Sequence, residues 1–155
     1  MSNIIEAKLK ELGVSIPTPA ASVANYVGYV TTGNLVFVSG QLPMEDGKIA
    51  VSGHLGKDVS IEDGYRGARI SAINLLAQLK AATNGDLSRI KRVVRLTGFI
   101  SSTPDFTEQS KIINGASDFL VEVLGDAGRH ARISISVAAL PMGAAVEVEG
   151  VFEIA

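Results

Sequence analysis

Hydrophobic and polar positions alternate most regularly near the end of the chain. Between Arg132 and Val137, isoleucine and valine take one side of a predicted strand, and arginine and serine take the other. From Val146 to Ile154 the same alternation sets apolar residues against three glutamates. A period of two is typical of a half-buried strand, and Pro141 interrupts the ladder because it has no N–H to donate. A cation and carboxylates on the polar sides of these neighbouring strands predict either surface ion pairs or a site that holds a carboxylate and activates a water.

Other periodic segments predict three helices. Apolar residues at helical spacing indicate a short amphipathic helix over residues 2–12, capped by Ser2, and a long helix that begins at Ser60. Thr103-Pro104-Asp105 has the cap, proline and acid typical of a helix start, and the helix that follows is expected to end at Gly125. Besides the two final strands, the pattern predicts strands at residues 26–30, 35–39, 48–51 and 92–101.

The order of these elements predicts an α+β fold. Strands, helix, strand, helix and two final strands form a split β-α-β arrangement, a mixed sheet with both long helices packed on one face and a short N-terminal helix added. The 155 residues are the length of one domain, of which residues 1–16 are an N-terminal helical extension. The other face of the sheet stays bare. Because 46% of the residues are hydrophobic, we expect that face to be covered by another subunit.

Composition excludes several classes of function. The chain has no cysteine, which removes disulfides, thiolate nucleophiles and cysteine-type zinc sites, and its two histidines are His54 and His130. Neither a metal nor a cofactor is therefore expected, and His54 is interpreted as a polar loop residue. A net charge of −2 without a basic block argues against a nucleic-acid surface. The lack of a long apolar run and of a leader pattern predicts a cytoplasmic protein without a membrane segment.

Several separated motifs occur in a fixed order along the chain. They are Tyr26, Gly33-Asn34, Ser39-Gly40-Gln41-Leu42-Pro43, Arg132, Leu140-Pro141, and Glu147 with Glu149. In this order and spacing they resemble the Rid family, also called YjgF-like or reactive intermediate deaminases, over about residues 17 to 155. The resemblance implies a chorismate-mutase-like fold in which the last strand lies antiparallel between two others. It also implies a homotrimer with three clefts at the subunit interfaces.

The resemblance further implies a reaction and a set of site residues. Deaminases of the family hydrolyse 2-imino or 2-enamino acids to a 2-keto acid and ammonia. Arg132 would hold the substrate carboxylate, Glu147 would position or activate the water, and Tyr26 would contribute its hydroxyl. The pocket would be lined by the backbone at Ser39 and Gly40, by Asn114 and by Ser134. His130 is a further candidate, because it lies two residues before Arg132 and can share its strand face. For Asn114 the alternative is a helix residue that bonds to a neighbouring turn.

Two departures from the family pattern leave the substrate open. Ser134 stands where many deaminases carry a reactive cysteine, and Ser136 replaces a common acidic residue. Three functions are therefore compared: an imine deaminase of the 2-iminobutanoate or 2-iminopropanoate type, a non-catalytic trimer that binds small carboxylates, and an endoribonuclease or translation inhibitor. The third is the weakest, because RNA cleavage usually requires a histidine or metal near a basic groove.

Overall fold

The computed structural model of the chain describes residues 4–19, 21–22 and 24–155. The predicted cap Ser2 lies outside these residues. In chain order, the helices and strands are α1 (Ile4–Glu11), β1 (Tyr29–Thr32), β2 (Leu35–Gln41), β3 (Met44–Glu45), β4 (Lys48–Ile49), α2 (Ile61–Ala82), β5 (Ile90–Ser101), α3 (Gln109–Leu124), β6 (Ala131–Val137) and β7 (Val146–Ile154).

Five of the strands form one mixed sheet in the order β1-β2-β7-β5-β6. Strands β5 and β6 are parallel, and the other neighbouring pairs are antiparallel. Strand β7 lies between β2 and β5, as the family resemblance implied. The two final strands of the chain are therefore not neighbours, because β5 separates β6 from β7. The α+β fold with a mixed sheet is confirmed.

The hydrophobic core lies between the sheet and the two long helices. Ser60 caps α2 by accepting a hydrogen bond from the Asp63 N–H at 3.1 Å, as predicted. The predicted stripe of α2 is buried against the helix-facing side of β7. Its members are Ala68, Ala72, Leu75, Leu76 and Leu79, and they share the core with Val146, Val148 and Phe152.

Helices α2 and α3 approach each other closely where glycines leave space. A Cβ added at Gly115 of α3 would collide with the backbone carbonyl of Tyr65 on α2. One turn away, a Cβ at Gly64 would lie 2.8 Å from the Ile112 side chain. The helices therefore depend on backbone contact at this crossing, which holds α3 and its polar residues firmly over β6.

Helix α3 begins later than predicted. The motif at Thr103 forms a turn, in which the Phe106 N–H donates to the Thr103 carbonyl at 3.2 Å, and α3 starts only at Gln109. The reason is tertiary, because the Thr103 N–H donates to the Leu55 carbonyl at 3.0 Å. This bond ties the end of β5 to the loop before α2, so the chain must leave that contact before it can form a helix.

Two predicted strand boundaries also differ. Tyr26 lies in a bend, and β1 begins three residues later at Tyr29. The segment predicted as a strand over 48–51 contributes β4 to a two-stranded hairpin with β3 instead. The turn between them uses Asp46 and Gly47, both at positive φ, which is the conformation that a tight two-residue hairpin turn requires.

The alternation of β6 is confirmed, but its polar side faces the helices. Arg132 pairs with Leu96 of β5, whose side chain is completely buried on the helix side. Ile133 and Ile135 therefore point to the bare face, where they are 53% and 40% exposed. On β7 the arrangement is the reverse, since the valines face the helices and Glu147 faces away. The two apolar rows that the sequence pattern suggested lie on opposite faces of the sheet.

The helix crossing leads to a test of stability. Gly115→Ala should lower the free energy of unfolding by about 1–3 kcal/mol, because the added methyl forces the helix backbones apart. Urea denaturation at fixed protein concentration measures the change. Ser110→Ala, at an exposed position of α3, is the control and should stay within about 0.5 kcal/mol of the original. Equal midpoints for Gly115→Ala and the original chain would contradict this packing.

Candidate functional site

The guanidinium of Arg132 is held by two neutral oxygen atoms on α3. Its Nη1 donates to Asn114 Oδ1 at 2.8 Å and to Ser117 Oγ at 3.0 Å. Among the described residues, no carboxylate lies within ion-pair distance of Arg132. The side chain is half-buried, so its positive charge is partly desolvated and lacks a counter-ion. A bound anion can therefore act as the counter-ion of Arg132.

His130 lies just before β6 and shares the partner Ser117 with this arginine. Its Nε2 is 2.8 Å from Ser117 Oγ, and its Nδ1 is 2.6 Å from the Gly128 carbonyl oxygen. Burial lowers the pKa of the imidazole, the bond to Gly128 opposes this, and the Arg132 charge lowers the pKa further. We call the group formed by Arg132, Asn114, Ser117 and His130 the arginine cluster.

The two serines that continue this row of β6 differ in their contacts. Ser136 Oγ accepts from Ser102 Oγ at 2.8 Å and from Gln109 Nε2 at 3.0 Å. Ser134 Oγ is buried and has no hydrogen-bond partner within the described chain. A buried hydroxyl without a partner is uncommon, and this one lies two residues from Arg132 on the same side of β6.

Glu147 forms a second group on the bare face of the sheet. A Cβ at Gly40 would collide with the Glu147 carboxylate, so the glycine provides the space that this side chain occupies. Burial raises the pKa of the Glu147 carboxyl, and the charge of Glu149 raises it further. The carboxyl therefore holds a proton more readily than an exposed glutamate. Glu147, Glu149, Gly40 and Ser39 are called the glutamate cluster.

Ser39 and Tyr26 lie on the β2 side of this cluster. The Ser39 hydroxyl donates to the Val27 carbonyl at 2.7 Å, and the Ser39 N–H donates to the Gly28 carbonyl at 2.9 Å. Ser39 thus anchors the bend that carries Tyr26. The Tyr26 side chain is 57% exposed, which leaves its hydroxyl accessible to water or to another molecule.

Arg132 and Glu147 do not meet within one chain. Arg132 shares a row with Leu96 on the helix side, whereas Glu147 pairs with Phe99 on the bare face. The two residues are separated by two strand spacings and three residues along the strands, so their Cα atoms are roughly 14 Å apart. The expectation that cation and carboxylates occupy polar sides of neighbouring strands is wrong, because β5 intervenes and the side chains point in opposite directions.

Ser117 was not singled out from the sequence, although it contacts both Arg132 and His130. The available signal was its position three residues after Asn114, since residues at this spacing lie on one face of a helix. In the described part of the chain, no group of three histidine or acidic side chains is arranged to hold a metal ion. No described helix is long and apolar enough to span a membrane.

Comparison with known proteins identifies the class to which this fold and these clusters belong. A family model described as "YjgF/chorismate_mutase-like, putative endoribonuclease" matches residues 6–153. The chain therefore belongs to the YjgF/chorismate-mutase-like family, which confirms the resemblance carried by the separated motifs.

Individual relatives cover nearly the whole chain. Protein TCP17 of Trypanosoma cruzi is 46% identical over 154 residues, which are 99% of this chain and 96% of TCP17. The crystal structure of Atu1372 from Agrobacterium tumefaciens superposes with a TM-score of 0.93 at 52% identity, over 98% of this chain and 93% of that one. Escherichia coli TdcF, solved with bound serine, gives a TM-score of 0.63 at 25% identity, over 91% of this chain and 96% of TdcF.

The raised pKa of Glu147 predicts a pH dependence of stability. The folded chain holds this proton more tightly than the unfolded chain, so the free energy of unfolding should fall as pH rises from the ordinary pKa of 4.5 through the raised value. Glu147→Gln removes this titration. Relative to the original chain, the variant should therefore be more stable at about pH 8 than at about pH 4.

Urea denaturation at the two pH values and at fixed protein concentration checks this expectation. Glu45→Gln, at an exposed position of β3, is the control and should change stability equally at both. If the effect of Glu147→Gln is likewise independent of pH, the desolvation of this carboxyl is refuted.

Proposed function

We propose that this protein hydrolyses short 2-imino and 2-enamino acids to 2-keto acids and ammonia, as a homotrimer with sites between subunits. One observation carries the proposal: the partly desolvated guanidinium of Arg132 is fixed by neutral oxygens and has no carboxylate partner among the described residues. A small anionic substrate supplies that partner. A cytoplasmic location is part of the proposal.

The geometry of the arginine suits a carboxylate. Both N–H groups of Nη1 are directed to Asn114 and Ser117, which leaves Nε and Nη2 as a parallel pair of donors. Such a pair binds the two oxygens of a carboxylate at once. The relative TdcF was solved with bound serine, a molecule with a carboxylate next to a nitrogen-bearing carbon, and this supports the same class of ligand here.

Glu147 has the properties of a proton-transfer group. In the proposed reaction it takes a proton from water as the water oxygen bonds to the carbon of the protonated imine, whose nitrogen becomes a neutral amine. Glu147 returns that proton to the nitrogen, the C–N bond breaks to release ammonia, and the hydroxyl proton passes back to Glu147 as the C=O bond forms. A carboxylate whose pKa is raised by burial and by the charge of Glu149 is a stronger base than an exposed one, so it can accept a proton and then return it.

The separation of the two clusters supports the trimer. Because Arg132 and Glu147 lie on opposite faces of one sheet, a substrate that reaches both must contact two chains. The bare face also carries exposed apolar side chains, which favour burial against another copy. The largest of them are Val30, Phe37, Ile133 and Ile135.

Activity of two variants tests the proposed roles. Arg132→Ala should lose about 2–5 kcal/mol of transition-state stabilisation, because the desolvated pair with the carboxylate is removed. Glu147→Gln should keep ligand binding but lose turnover, since the amide preserves shape without accepting a proton. Imino acids are generated in situ with an amino-acid oxidase, and the loss of semicarbazide trapping is followed.

Arg129→Ala is the matched control for the arginine. Arg129 is exposed and pairs with Asp126 at 3.3 Å, so its removal should leave the rate unchanged. If the original protein does not reduce trapping for any short imino acid, the deaminase proposal fails. Pyruvate binding without turnover would then support the non-catalytic carboxylate binder.

Subunit mixing tests whether one site uses two chains. Arg132→Ala and Glu147→Gln chains, unfolded together in equal amounts and refolded, should recover about one quarter of the original rate, since one site in four receives both intact residues. Each variant refolded alone should stay inactive. Absence of recovery in mixed trimers, verified by native mass spectrometry, would contradict a shared site, and a monomer mass by light scattering would contradict the trimer itself.

The alternative is the endoribonuclease named in the family description. RNA carries dense negative charge, and the carboxylates of Glu147 and Glu149 would repel it from the bare face. RNA cleavage by the purified protein that survives in Arg132→Ala and is absent from a mock purification would favour this alternative.

A further inference from the structure

The hydrogen bonds of His130 fix which ring nitrogen carries its proton. Nδ1 lies 2.6 Å from the Gly128 carbonyl oxygen, which can only accept, so Nδ1 must donate. Because burial lowers the pKa of this imidazole, the ring is neutral at pH 7 and its Nε2 is an acceptor. The Ser117 hydroxyl, 2.8 Å from Nε2, therefore donates to the ring.

This assignment sets the direction of the next bond. With its hydrogen committed to His130, Ser117 presents oxygen lone pairs to Arg132 Nη1 at 3.0 Å. The bonds run in one direction, from Arg132 through Ser117 to His130 and on to the Gly128 carbonyl. The charged side chains of the adjacent turn do not compete for these hydrogen bonds, since Asp126 and Arg129 pair with each other at the surface.

These hydrogen bonds hold the guanidinium of Arg132 in one orientation. Asn114 and Ser117 take both hydrogens of Nη1, so rotation about the Nε–Cζ bond, which exchanges the two terminal nitrogens, breaks two bonds at once. Ser117 without His130 as acceptor can turn its hydroxyl toward a carbonyl one turn earlier in α3, as helical serines often do. The lone pairs would then no longer be aligned with the arginine.

We propose that His130 and Ser117 are positioning residues, which hold Arg132 with its Nε and Nη2 edge directed outward for carboxylate binding. This inference rests on the proposed function for its ligand, but not for the hydrogen-bond chain itself. It assigns His130 a place behind the arginine and not in contact with the substrate.

Two spectroscopic measurements test the hydrogen-bond chain from Arg132 to His130 without any ligand. Long-range ¹H–¹⁵N correlation at pH 8 should reveal His130 protonated at Nδ1 and unprotonated at Nε2. Exchange between the two terminal nitrogens of Arg132, followed by NMR, should be slow in the original protein and faster in Ser117→Ala and His130→Leu. A proton on Nε2, or unchanged exchange in both variants, would overturn the proposal.

Pyruvate binding tests the consequence for the ligand. The Kd measured by calorimetry should rise roughly 3- to 10-fold in Ser117→Ala and His130→Leu, the equivalent of one lost hydrogen bond. His130→Gln should restore binding to within about twofold, because the amide oxygen of glutamine can accept from Ser117 where Nε2 did. A merely structural role for the ring would not produce this difference between leucine and glutamine.

The other histidine provides the control. His54 Nε2 lies 3.0 Å from the Ala138 carbonyl oxygen, away from the arginine cluster, and His54→Leu should leave both the Arg132 exchange and the Kd unchanged. Equal affinity in His130→Leu and the original protein would refute the positioning role. If the original protein binds no pyruvate, the carboxylate site of the proposed function fails, and the tautomer and exchange measurements still decide the hydrogen-bond chain.

Discussion

The register of β6 against β5 is the constraint on which the rest of the structure depends. Arg132 pairs with Leu96 and Ser134 with Gly98, two positions of β5 that face the helices. A shift of one residue would exchange the two sides of β6 and put its isoleucines into the core. The observed register does the opposite, and it directs an arginine and two serines toward α3.

A polar strand side beneath a helix is stable only where the helix offers partners. Helix α3 provides Asn114 and Ser117 for the arginine and Gln109 for the serine row, so most of the buried polar groups are paired. Hydrogen bonds to neutral oxygens satisfy donors without neutralising charge. The same register therefore yields both a fixed cation without a counter-ion and an apolar surface of exposed isoleucines. The first favours an anion and the second favours another subunit, and the proposed cleft between chains satisfies both.

Sequence patterns predicted the helices and strands well where interactions within one segment determine them. The cap at Ser60 follows from its residue type and the stripe of α2 from helix periodicity, and the strand predicted at residues 92–101 lies within β5. The start of α3 did not follow, because the bond from Thr103 to Leu55 is a contact between distant segments. The side of the sheet that Arg132 faces did not follow either, since a period of two reveals which residues share a side but not which side is covered. Family motifs singled out Arg132 and Glu147 as a pair, while their separation within one chain depends on the strand order, which places β5 between their strands.

The electrostatics of the proposed cleft connect substrate binding to the chemistry. Within one chain, burial and the charge of Glu149 raise the pKa of Glu147, and in the proposed cleft a guanidinium from the second chain would oppose this rise. In that proposed cleft a bound carboxylate would balance the guanidinium, so the pKa of Glu147 would rise when substrate binds and fall when product leaves. The carboxylate would then accept the proton of water more readily while substrate is bound, as the first step of the proposed reaction requires. An arginine already paired with a carboxylate of its own chain could not link substrate binding to the pKa of Glu147, because its charge would be balanced before the substrate bound.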